Sequence, residues 1–393
     1  MRTLSLAALS KAGVIEIAGT GARLLPNPGL DRARVYGADE QAILSLAGAA
    51  EACAAIRTWD GYRPTPVHGL AAVARDSGVA DVLYKDEGQR FTLKSFKAMG
   101  GAYAVERLVK ARGTAGLTVT CATDGNHGRA VAWGARRLRV PAVIYVHETV
   151  SEGRAKAIEG FGAEVRRVPG NYDDAVRASA EAARANGWTI VSDTSWPGYD
   201  VIPRDVMQGY AVLALEAEAQ APMPSHIFVQ GGVGGLAAGI LSYHWEKRGE
   251  TRPIIVVVEP AKADCLLQSA VAGRWTAVGG DLDTIMAGLA CGEPSELAWA
   301  LLSPGADAFI SIPDERAAEA MRLMAGFGIA AGESGVAGLA GFLAVAADPA
   351  ARAALKLDAA ARVLCFGTEG ATDPEIYRAI VGRAPEAVEG RAA

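Results

Sequence analysis

The sequence predicts an α/β protein made of two open parallel-sheet domains with a cleft between them. From about residue 82 onward, short runs rich in valine and isoleucine alternate with helical segments, and most runs are bounded by Gly, Pro or Asp. Uninterrupted apolar strands that alternate with helices are typical of parallel sheets covered on both faces. The number of strands fits two sheets better than one.

The predicted elements follow one another in a regular order. The strands are Val82–Asp86, Leu117–Ala122, Ala142–His147, Glu164–Val168, Thr189–Asp193, His226–Gln230, Ile254–Glu259, Phe309–Ile312 and Arg362–Phe366. The helices are Phe96–Arg112, Gly128–Arg139, Glu152–Gly160, Tyr172–Ala185, Val206–Ala219, Val233–Lys247, Glu315–Phe327, Val336–Ala347 and Pro374–Val381. The less regular segment before them predicts a cover packed on one domain, with a helix around Asp39–Ala55.

Composition narrows the class of protein. The chain has 393 residues, half of them hydrophobic, and a net charge of -5 without a basic block, which argues against nucleic-acid and anionic-membrane partners. No apolar run approaches the roughly 20 residues of a membrane span, and Leu4–Leu9 is too short for a secretory signal. The five cysteines are scattered, so we expect no metal site, and we expect a soluble cytoplasmic protein.

Lys97, in Ser95-Phe96-Lys97, is the residue that points most directly to chemistry. It begins an apolar helix after a strand-like run that ends at Asp86, and Gly100-Gly101 follow it. Loss of hydration and the positive end of a helix dipole both disfavour the ammonium, so we expect a lowered pKa and a nucleophilic amine. Lys94, three residues earlier, is the rival for this role if the helix starts that early.

A glycine loop, Gln230-Gly231-Gly232-Val233-Gly234-Gly235-Leu236, lies between a predicted strand and a predicted helix. Backbone N–H groups at a helix N-terminus form an anion site, and glycine lets the backbone approach a phosphate closely. Together with the lysine, the loop predicts an aldehyde cofactor with a phosphate tail, which is pyridoxal phosphate. The loop alone also matches a dinucleotide fingerprint, Gly232-x-Gly234-x-x-Ala237, with Glu259 at the end of the next strand.

A third motif, Thr123-Asp124-Gly125-Asn126-His127-Gly128, follows an apolar strand and opens a helix. Ligands of open α/β sheets bind at such carboxyl ends of strands. The backbone amides can hold a carboxylate, Asn126 can hydrogen-bond a phenolate oxygen, and Asp124 is a potential general base. Asp and Asn are also ordinary helix caps, but a cap accounts for one polar residue and not for four in a row.

These motifs, in this order, resemble the fold-type II (tryptophan synthase β-like) pyridoxal phosphate enzymes. Further strings make the chain similar to the diaminopropionate ammonia-lyases within that group, from about Pro64 to Arg378. These strings are Asp193-Thr194-Ser195-Trp196-x-Gly198-Tyr199, Ile202-Pro203, Met207-Gln208-Gly209-Tyr210, Thr284-Ile285-Met286-Ala287-Gly288-Leu289-Ala290-Cys291-Gly292-Glu293-Pro294 and Thr368-Glu369-Gly370-x-Thr372-Asp373.

The resemblance implies a role for each motif. Lys97 would hold the cofactor as a Schiff base, and Asp124 and Asp193 would be bases on opposite sides of the substrate, one for each enantiomer. The remaining cofactor contacts would come from Asn126 at the ring hydroxyl and from the phosphate cradle Gly232, Val233, Gly234, Gly235 and Leu236. The substrate carboxylate would be bound by Thr123, Asp124, Gly125 and His127.

One position departs from the pattern of the group. Many fold-type II enzymes have a serine at the pyridine nitrogen, near the position of Gly367 here. Glycine has no side chain to make that contact, so the role passes to Thr368. A neutral hydroxyl partner would leave the pyridine nitrogen largely unprotonated.

The implied reaction is the α,β-elimination of 2,3-diaminopropionate to pyruvate and ammonia, with Lys97, freed as the ammonium, as the acid near Cβ. An eliminase that acts on serine, threonine or another 3-substituted amino acid has the same fold chemistry and differs only in its pocket. A nicotinamide-dependent dehydrogenase is the distant alternative and rests on the glycine loop alone. Enantiomer preference and the physiological substrate stay open.

The remaining expectations concern assembly. Residues 1–98 and 206–393 would form a large domain that holds the cofactor phosphate, and residues 99–205 a small mobile domain that holds the substrate. A homodimer follows from the resemblance. Cys265 and Cys291 would lie close together near the mouth of the cleft, and a disulfide and two separate thiols are both open.

Overall fold

The computed structural model describes residues 13–389, which form two sheets flanked by helices. The strands are β1 (Ile15–Ile17), β2 (Ala22–Pro26), β3 (Val67–Gly69), β4 (Asp81–Asp86), β5 (Val119–Ala122), β6 (Ala142–His147), β7 (Glu164–Val168), β8 (Thr189–Ile190), β9 (His226–Gln230), β10 (Ile254–Pro260), β11 (Ala308–Ile312) and β12 (Arg362–Gly367).

Helices connect and cover these strands. They are α1 (Ala38–Ile43), α2 (Leu46–Ile56), α3 (Ala71–Ser77), α4 (Lys97–Arg112), α5 (Asn126–Leu138), α6 (Glu152–Glu159), α7 (Tyr172–Asn186), α8 (Val201–Gln220), α9 (Gly235–Arg248), α10 (Cys265–Ala272), α11 (Glu296–Gly305), α12 (Asp314–Gly326), α13 (Ala337–Ala347), α14 (Pro349–Ala354), α15 (Pro374–Val381) and α16 (Pro385–Glu389). No helix within this part of the chain is long and apolar enough to span a membrane. The stretch Leu4–Leu9 lies outside the described residues.

The larger sheet has eight strands in the order β1-β2-β11-β10-β9-β12-β4-β3. Its five central strands are parallel, and β10 shows why. Ile255 and Val257 enter one hydrophobic core while Val256 and Val258 enter another, so both faces of the strand are buried. The predicted fold class is confirmed in this sheet.

The edges of the larger sheet were not predicted. The strands β1, β2 and β3 have three to five residues each and pair antiparallel with their neighbours. Such short segments carry little periodicity of their own. Their place is set by long-range pairing, as where Leu24 lies opposite Ile310.

The smaller sheet is parallel throughout, in the order β7-β6-β5-β8. The predicted strand Thr189–Asp193 is paired only over Thr189–Ile190. The N–H of Val191 still donates to the carbonyl of Thr120 at 2.8 Å, and the chain then leaves the sheet. This early exit carries Asp193 away from the strand and into the cleft.

The predicted helices are present, and the one around Asp39–Ala55 is divided into α1 and α2. The division lies at Leu44 and Ser45, where the backbone is extended. The hydroxyl of Ser45 accepts the N–H of Gly48 at 3.1 Å and so caps the second helix. The helices α3, α10, α11, α14 and α16 were not predicted.

The carboxyl ends of neighbouring strands position the site. In the larger sheet, the adjacent strands β9, β12 and β4 lead to the glycine loop, to Thr368 and to the segment before Lys97. In the smaller sheet, the adjacent strands β6, β5 and β8 lead to His147, to Asp124 and to Asp193. This is the edge at which parallel sheets bind ligands, and the Lys97–Asp193 contact joins the two edges.

Candidate active site

Lys97 is the first residue of α4 and lies between a carboxylate and two aromatic rings. Its Nζ donates to Oδ2 of Asp193 and lies 5.3 Å from the ring centroid of Phe96 and 5.8 Å from that of Tyr210. Burial is the largest single influence and disfavours the ammonium, but the charge and hydrogen bond of Asp193, together with Tyr210, raise the pKa of Lys97 overall. The predicted lowering of this pKa is wrong, because the sequence did not place Asp193 at the amine.

Lys94 does not compete for the cofactor position. Its backbone is left-handed, with φ of 53°, so it precedes the helix and does not share a helical face with Lys97. Its Nζ lies 3.3 Å from a carboxylate oxygen of Glu389, and the side chain is 39% exposed. The structure places it at the surface.

Asp193 is held ionised by its neighbours. Burial alone raises its pKa, but the positive charge of Lys97 and the ring of His127 lower the pKa overall. Nδ1 of His127 is 3.8 Å from Oδ2 of Asp193, and Nε2 is 2.7 Å from the carbonyl of Val191. His127 therefore contacts the second predicted base, a position that the sequence did not indicate.

The turn from Thr123 to Gly128 has the shape of an anion-binding turn. The hydroxyl of Thr123 accepts the N–H groups of Gly125 at 2.9 Å and Gly128 at 3.0 Å, so this side chain shapes the turn itself. Gly125 has φ of 151°, a conformation that favours glycine. The side-chain amide of Asn126 donates to the carboxylate of Glu369, which follows strand β12 of the larger sheet.

Asp124 and Asp193 lie around the same cleft. Asp124 is 33% exposed, and its Oδ1 is 2.6 Å from Nε2 of His147. Tyr172 is 38% exposed as a residue, but desolvation of its hydroxyl, and then the charges of Asp193 and Asp124, raise the pKa of Tyr172 well above its usual value, so both carboxylates act on this hydroxyl. Tyr172 begins α7, and no motif in the sequence marked it as a site residue.

The glycine loop has the geometry of a phosphate cradle. Gly232 and Gly234 have φ of 62° and 96°, and the loop opens α9, whose first N–H groups lack helical acceptors. A Cβ on Gly234 would lie 3.0 Å from side-chain carbons of Ala298 and Leu302, so the close packing also requires glycine there.

Glu259 rules out the dinucleotide alternative on structural grounds. Its carboxylate is fully buried and accepts the N–H groups of Leu266 at 2.9 Å and Leu267 at 2.8 Å. It therefore holds the start of α10 and is not available to a ribose hydroxyl. The dehydrogenase interpretation of the loop is wrong.

Thr368 follows β12 and is buried beside the lysine segment, where its carbonyl accepts the N–H of Phe96 at 3.0 Å. The preceding residue, Gly367, is a glycine because the space beside it is filled. A Cβ at this position would lie 2.1 Å from the ring of Tyr84. The aromatic ring of Tyr84 therefore excludes a serine where related enzymes have one.

A cluster of buried carboxylates was not foreseen. Arg154, on α6, lies 2.9 Å from Oε1 of Glu333 and 3.6 Å from Asp373. Burial, and then the charge of Glu369, raise the pKa of Glu333 to about 8. Only Glu369 and Asp373 belong to one of the strings shared with the diaminopropionate ammonia-lyases. Spacing along the sequence therefore did not predict the cluster.

The residues present fit pyridoxal phosphate. Among residues 13–389, the buried polar atoms of this region without a hydrogen-bond partner include Nδ1 of His127, the hydroxyl of Tyr210, Oε1 of Gln230 and Oε2 of Glu333. Buried polar atoms are rarely left unpaired, and two of these residues, Tyr210 and His127, lie at the Lys97–Asp193 pair. A group with a carbonyl, a ring with polar substituents and a phosphate matches that set.

The five cysteines are free thiols in the structure. Sγ of Cys265 is 3.5 Å from the carbonyl oxygen of Gly232, and Sγ of Cys291 would lie 3.7 Å from a Cβ at Gly232. Both residues thus lie at the glycine loop, as the prediction of closeness requires. They are separate thiols, which is one of the two alternatives that the sequence left open.

Comparisons with known proteins identify the class first. The family model for pyridoxal-phosphate dependent enzymes matches residues 58–368, so the chain belongs to this family and uses pyridoxal phosphate. The diaminopropionate ammonia-lyase of Escherichia coli (strain K12) is 42% identical over 357 residues, which cover 84% of this chain and 89% of that protein. The diaminopropionate ammonia-lyase of Salmonella typhimurium is 40% identical over 358 residues, which cover 81% and 88%.

A solved structure agrees. The crystal structure of the Escherichia coli diaminopropionate ammonia-lyase in complex with an aminoacrylate–PLP azomethine reaction intermediate has a TM-score of 0.85 and 38% identity. The superposition covers 95% of this chain and 99% of the Escherichia coli chain. Within the pyridoxal phosphate enzymes, the chain is a carbon–nitrogen lyase of the diaminopropionate ammonia-lyase family.

Proposed function

We propose that the chain eliminates ammonia from 2,3-diaminopropionate and releases pyruvate, with Lys97 as the Schiff-base lysine and Asp124 and Asp193 as the two bases. The contact between Lys97 and Asp193, with Asp124 near enough that both carboxylates act on the hydroxyl of Tyr172, carries this proposal. When bound, pyridoxal phosphate supplies an electron sink for the pair left at Cα.

The chain offers a holding contact for each part of the cofactor. Lys97 would hold the aldehyde carbon, Gly232 to Leu236 the phosphate, Thr368 the ring nitrogen and Asn126 the ring hydroxyl. The turn around Gly125 would bind the substrate carboxylate through backbone N–H groups, with His127 beside it. What supports these roles is that all of these residues lie at the facing strand ends of the two sheets.

The two carboxylates would take the α proton from opposite sides, one for each enantiomer. Asp193 is a weak base while Lys97 carries a charge, because that charge lowers the pKa of Asp193. Removing the charge from Nζ would restore its basicity. Asp124 instead contacts Nε2 of His147 through its Oδ1.

The β-amine leaves as neutral ammonia only when it is protonated before or during cleavage of the Cβ–N bond, so a proton donor near Cβ is required. Lys97 would give a proton from Nζ to the departing amine. The rings of Phe96 and Tyr210 near this Nζ would keep water away from the reacting carbons.

The test is a substrate panel scored by pyruvate release from the purified holoenzyme. We expect both D- and L-2,3-diaminopropionate to be turned over at least about tenfold better than serine or threonine, as binding of the β-amine predicts. Faster turnover of serine or threonine would replace the proposal with the alternative eliminase.

We infer a homodimer, a cytoplasmic protein and a small domain of residues 99–205 that moves against the rest. The free thiols fit a reducing compartment, and the smaller sheet lies wholly inside that range. Light scattering tests the dimer, and compaction in small-angle scattering on adding a non-reacting substrate analogue tests the motion.

A further inference from the structure

His147 lies beside the candidate base Asp124 because two strands are in register. The parallel pairing of β5 with β6 sets Ala122 opposite Tyr145, and Asp124 and His147 each follow two residues later. Nε2 of His147 is 2.6 Å from Oδ1 of Asp124. The strand pairing itself therefore brings this ring to the carboxylate.

The other ring nitrogen of His147 is also occupied. Its Nδ1 is 2.9 Å from Oγ1 of Thr149. When the threonine hydroxyl donates to Nδ1, the ring proton is on Nε2 and donates to the carboxylate of Asp124. One tautomer satisfies both contacts, and the side chain is only 14% exposed, so the ring is held in place.

The two arginines near His147 contact other groups and not its imidazole ring. Arg167, on β7, donates to the backbone carbonyls of His147 at 3.2 Å and Glu148 at 3.1 Å, and it pairs with Glu152. Arg154, on α6, lies against Gly125 and pairs with the carboxylate cluster. Among the described residues, Asp124 is the carboxylate that contacts the imidazole.

We propose that His147 is a positioning residue for Asp124. It holds Oδ1 through its Nε2–H and leaves Oδ2 to take the α proton of the substrate. Within residues 13–389, Oδ2 of Asp124 makes no hydrogen bond. Because Oδ1 still accepts after Oδ2 is protonated, the contact persists through the transfer and His147 moves no proton. This inference rests on the proposed function, in which Asp124 serves one enantiomer.

Two matched substitutions separate position from bulk. In His147→Gln, the side-chain amide nitrogen can occupy the place of Nε2 and donate to Oδ1. In His147→Asn, the same amide is one methylene shorter and does not reach. We expect His147→Asn to lower kcat at least roughly tenfold for the enantiomer that depends on Asp124, and His147→Gln to stay within about threefold.

The other enantiomer supplies the internal control. It should change by less than about twofold in both variants, since a folding defect would lower both rates together. In the double variant His147→Asn with Asp124→Asn, kcat should equal that of Asp124→Asn alone, because an absent base needs no positioning.

A readout independent of turnover comes from nitrogen-15 NMR of the five histidines in the holoenzyme, with His147→Gln used to assign the resonances. A proton on Nε2 of His147, in a neutral or cationic ring, supports the proposal. A proton on Nδ1 alone overturns it, since a bare nitrogen would then face the carboxylate.

The outcomes separate this inference from the proposed function. If Asp124→Asn impairs one enantiomer and His147→Asn impairs neither or both, the positioning role is wrong and the proposed function stands. If Asp124→Asn impairs neither enantiomer selectively, the two-base function fails and takes the role of His147 with it.

Discussion

Two lysines of the described residues, Lys85 and Lys97, pair with carboxylates, and their surroundings differ: Lys85 is fully buried, whereas the side chain of Lys97 is 16% exposed. Nζ of Lys85 has three acceptors: the carbonyl of Thr65 at 2.9 Å, Glu216 at 2.7 Å and Gln220 at 2.7 Å. Nζ of Lys97 has Asp193 and two aromatic rings. Three acceptors use every proton of an ammonium. Lys85 is therefore held in place by three acceptors, while Lys97 keeps the capacity to react.

The network around Lys85 is saturated. Arg90 contacts Glu216 at 2.7 Å and Glu87 at 2.8 Å, and Thr65 donates to Glu87 at 2.5 Å. None of these four side chains is more than 1% exposed. The network joins β4 to α8 and holds the segment that leads to Lys97. Burial and charge thus occur in both regions, and the completeness of hydrogen bonding separates the structural region from the reactive one.

The largest effect that this comparison predicts is on turnover. Lys97→Met keeps the length of the side chain and removes the amine, so activity should fall by roughly a thousandfold or more. The visible absorbance of the bound cofactor should be lost as well. Lys94→Ala should retain both properties, because Lys94 lies at the surface. The reverse pattern would move the cofactor lysine to position 94.

The same lysine-to-methionine change at Lys85, in the saturated network, should affect stability and not turnover. Lys85→Met leaves Glu216 buried with Arg90 as its remaining cation, and should lower the free energy of unfolding by about 3 kcal/mol or more. Chemical denaturation measures this. The control is Lys247→Met, which breaks a pair with Glu218 and should cost less than about 1 kcal/mol, because Lys247 is 40% exposed. Similar losses in both variants would contradict the contrast.

Substitution of the two carboxylates tests the reactive region more finely. Asp193→Asn and Asp124→Asn should each lower kcat by about a hundredfold for one enantiomer of diaminopropionate, and by much less for the other. The physical reason is that each carboxylate would reach the α proton from one side only. Separate assays of the two enantiomers measure the ratio, and equal losses on both would make one aspartate structural.

The smallest effect concerns Glu333, an incompletely paired group like Lys97. Its pKa is raised to about 8 by burial and Glu369, from the usual 4.5. Between these two pH values the folded chain binds more protons than the unfolded chain, so the free energy of unfolding should fall as pH rises. Glu333→Gln should remove this slope, which amounts to about 2 kcal/mol between pH 6 and 8.

Thermal midpoints at pH 6 and pH 8 measure the slope. Glu319→Gln is the matched control, because Glu319 is 52% exposed and pairs with Arg316 at the surface. Its slope should equal that of the unchanged chain. An unaltered slope in Glu333→Gln would mean that another group takes up the proton.

Local pattern accounts for much of the fold and for the position of the site motifs. The central strands and most helices were predicted from apolar runs and their spacing, because each such element is stable through local periodicity and burial. The strands β1, β2 and β3 were not predicted from the sequence, because their pairing depends on partners that are distant along the chain. The structural role of Lys85 was not predicted for the same reason, because its three acceptors come from other segments of the chain.

The sequence by itself determined the fold class, the cofactor and the residues that lie at the strand ends. Order along the chain decides which residues follow which strand, and that order is local information. Only the tertiary structure decided how those residues act on one another. Asp193 reverses the expected pKa shift of Lys97, and His147 reaches Asp124. Charge interactions depend on distance in space, which separation along the sequence does not give.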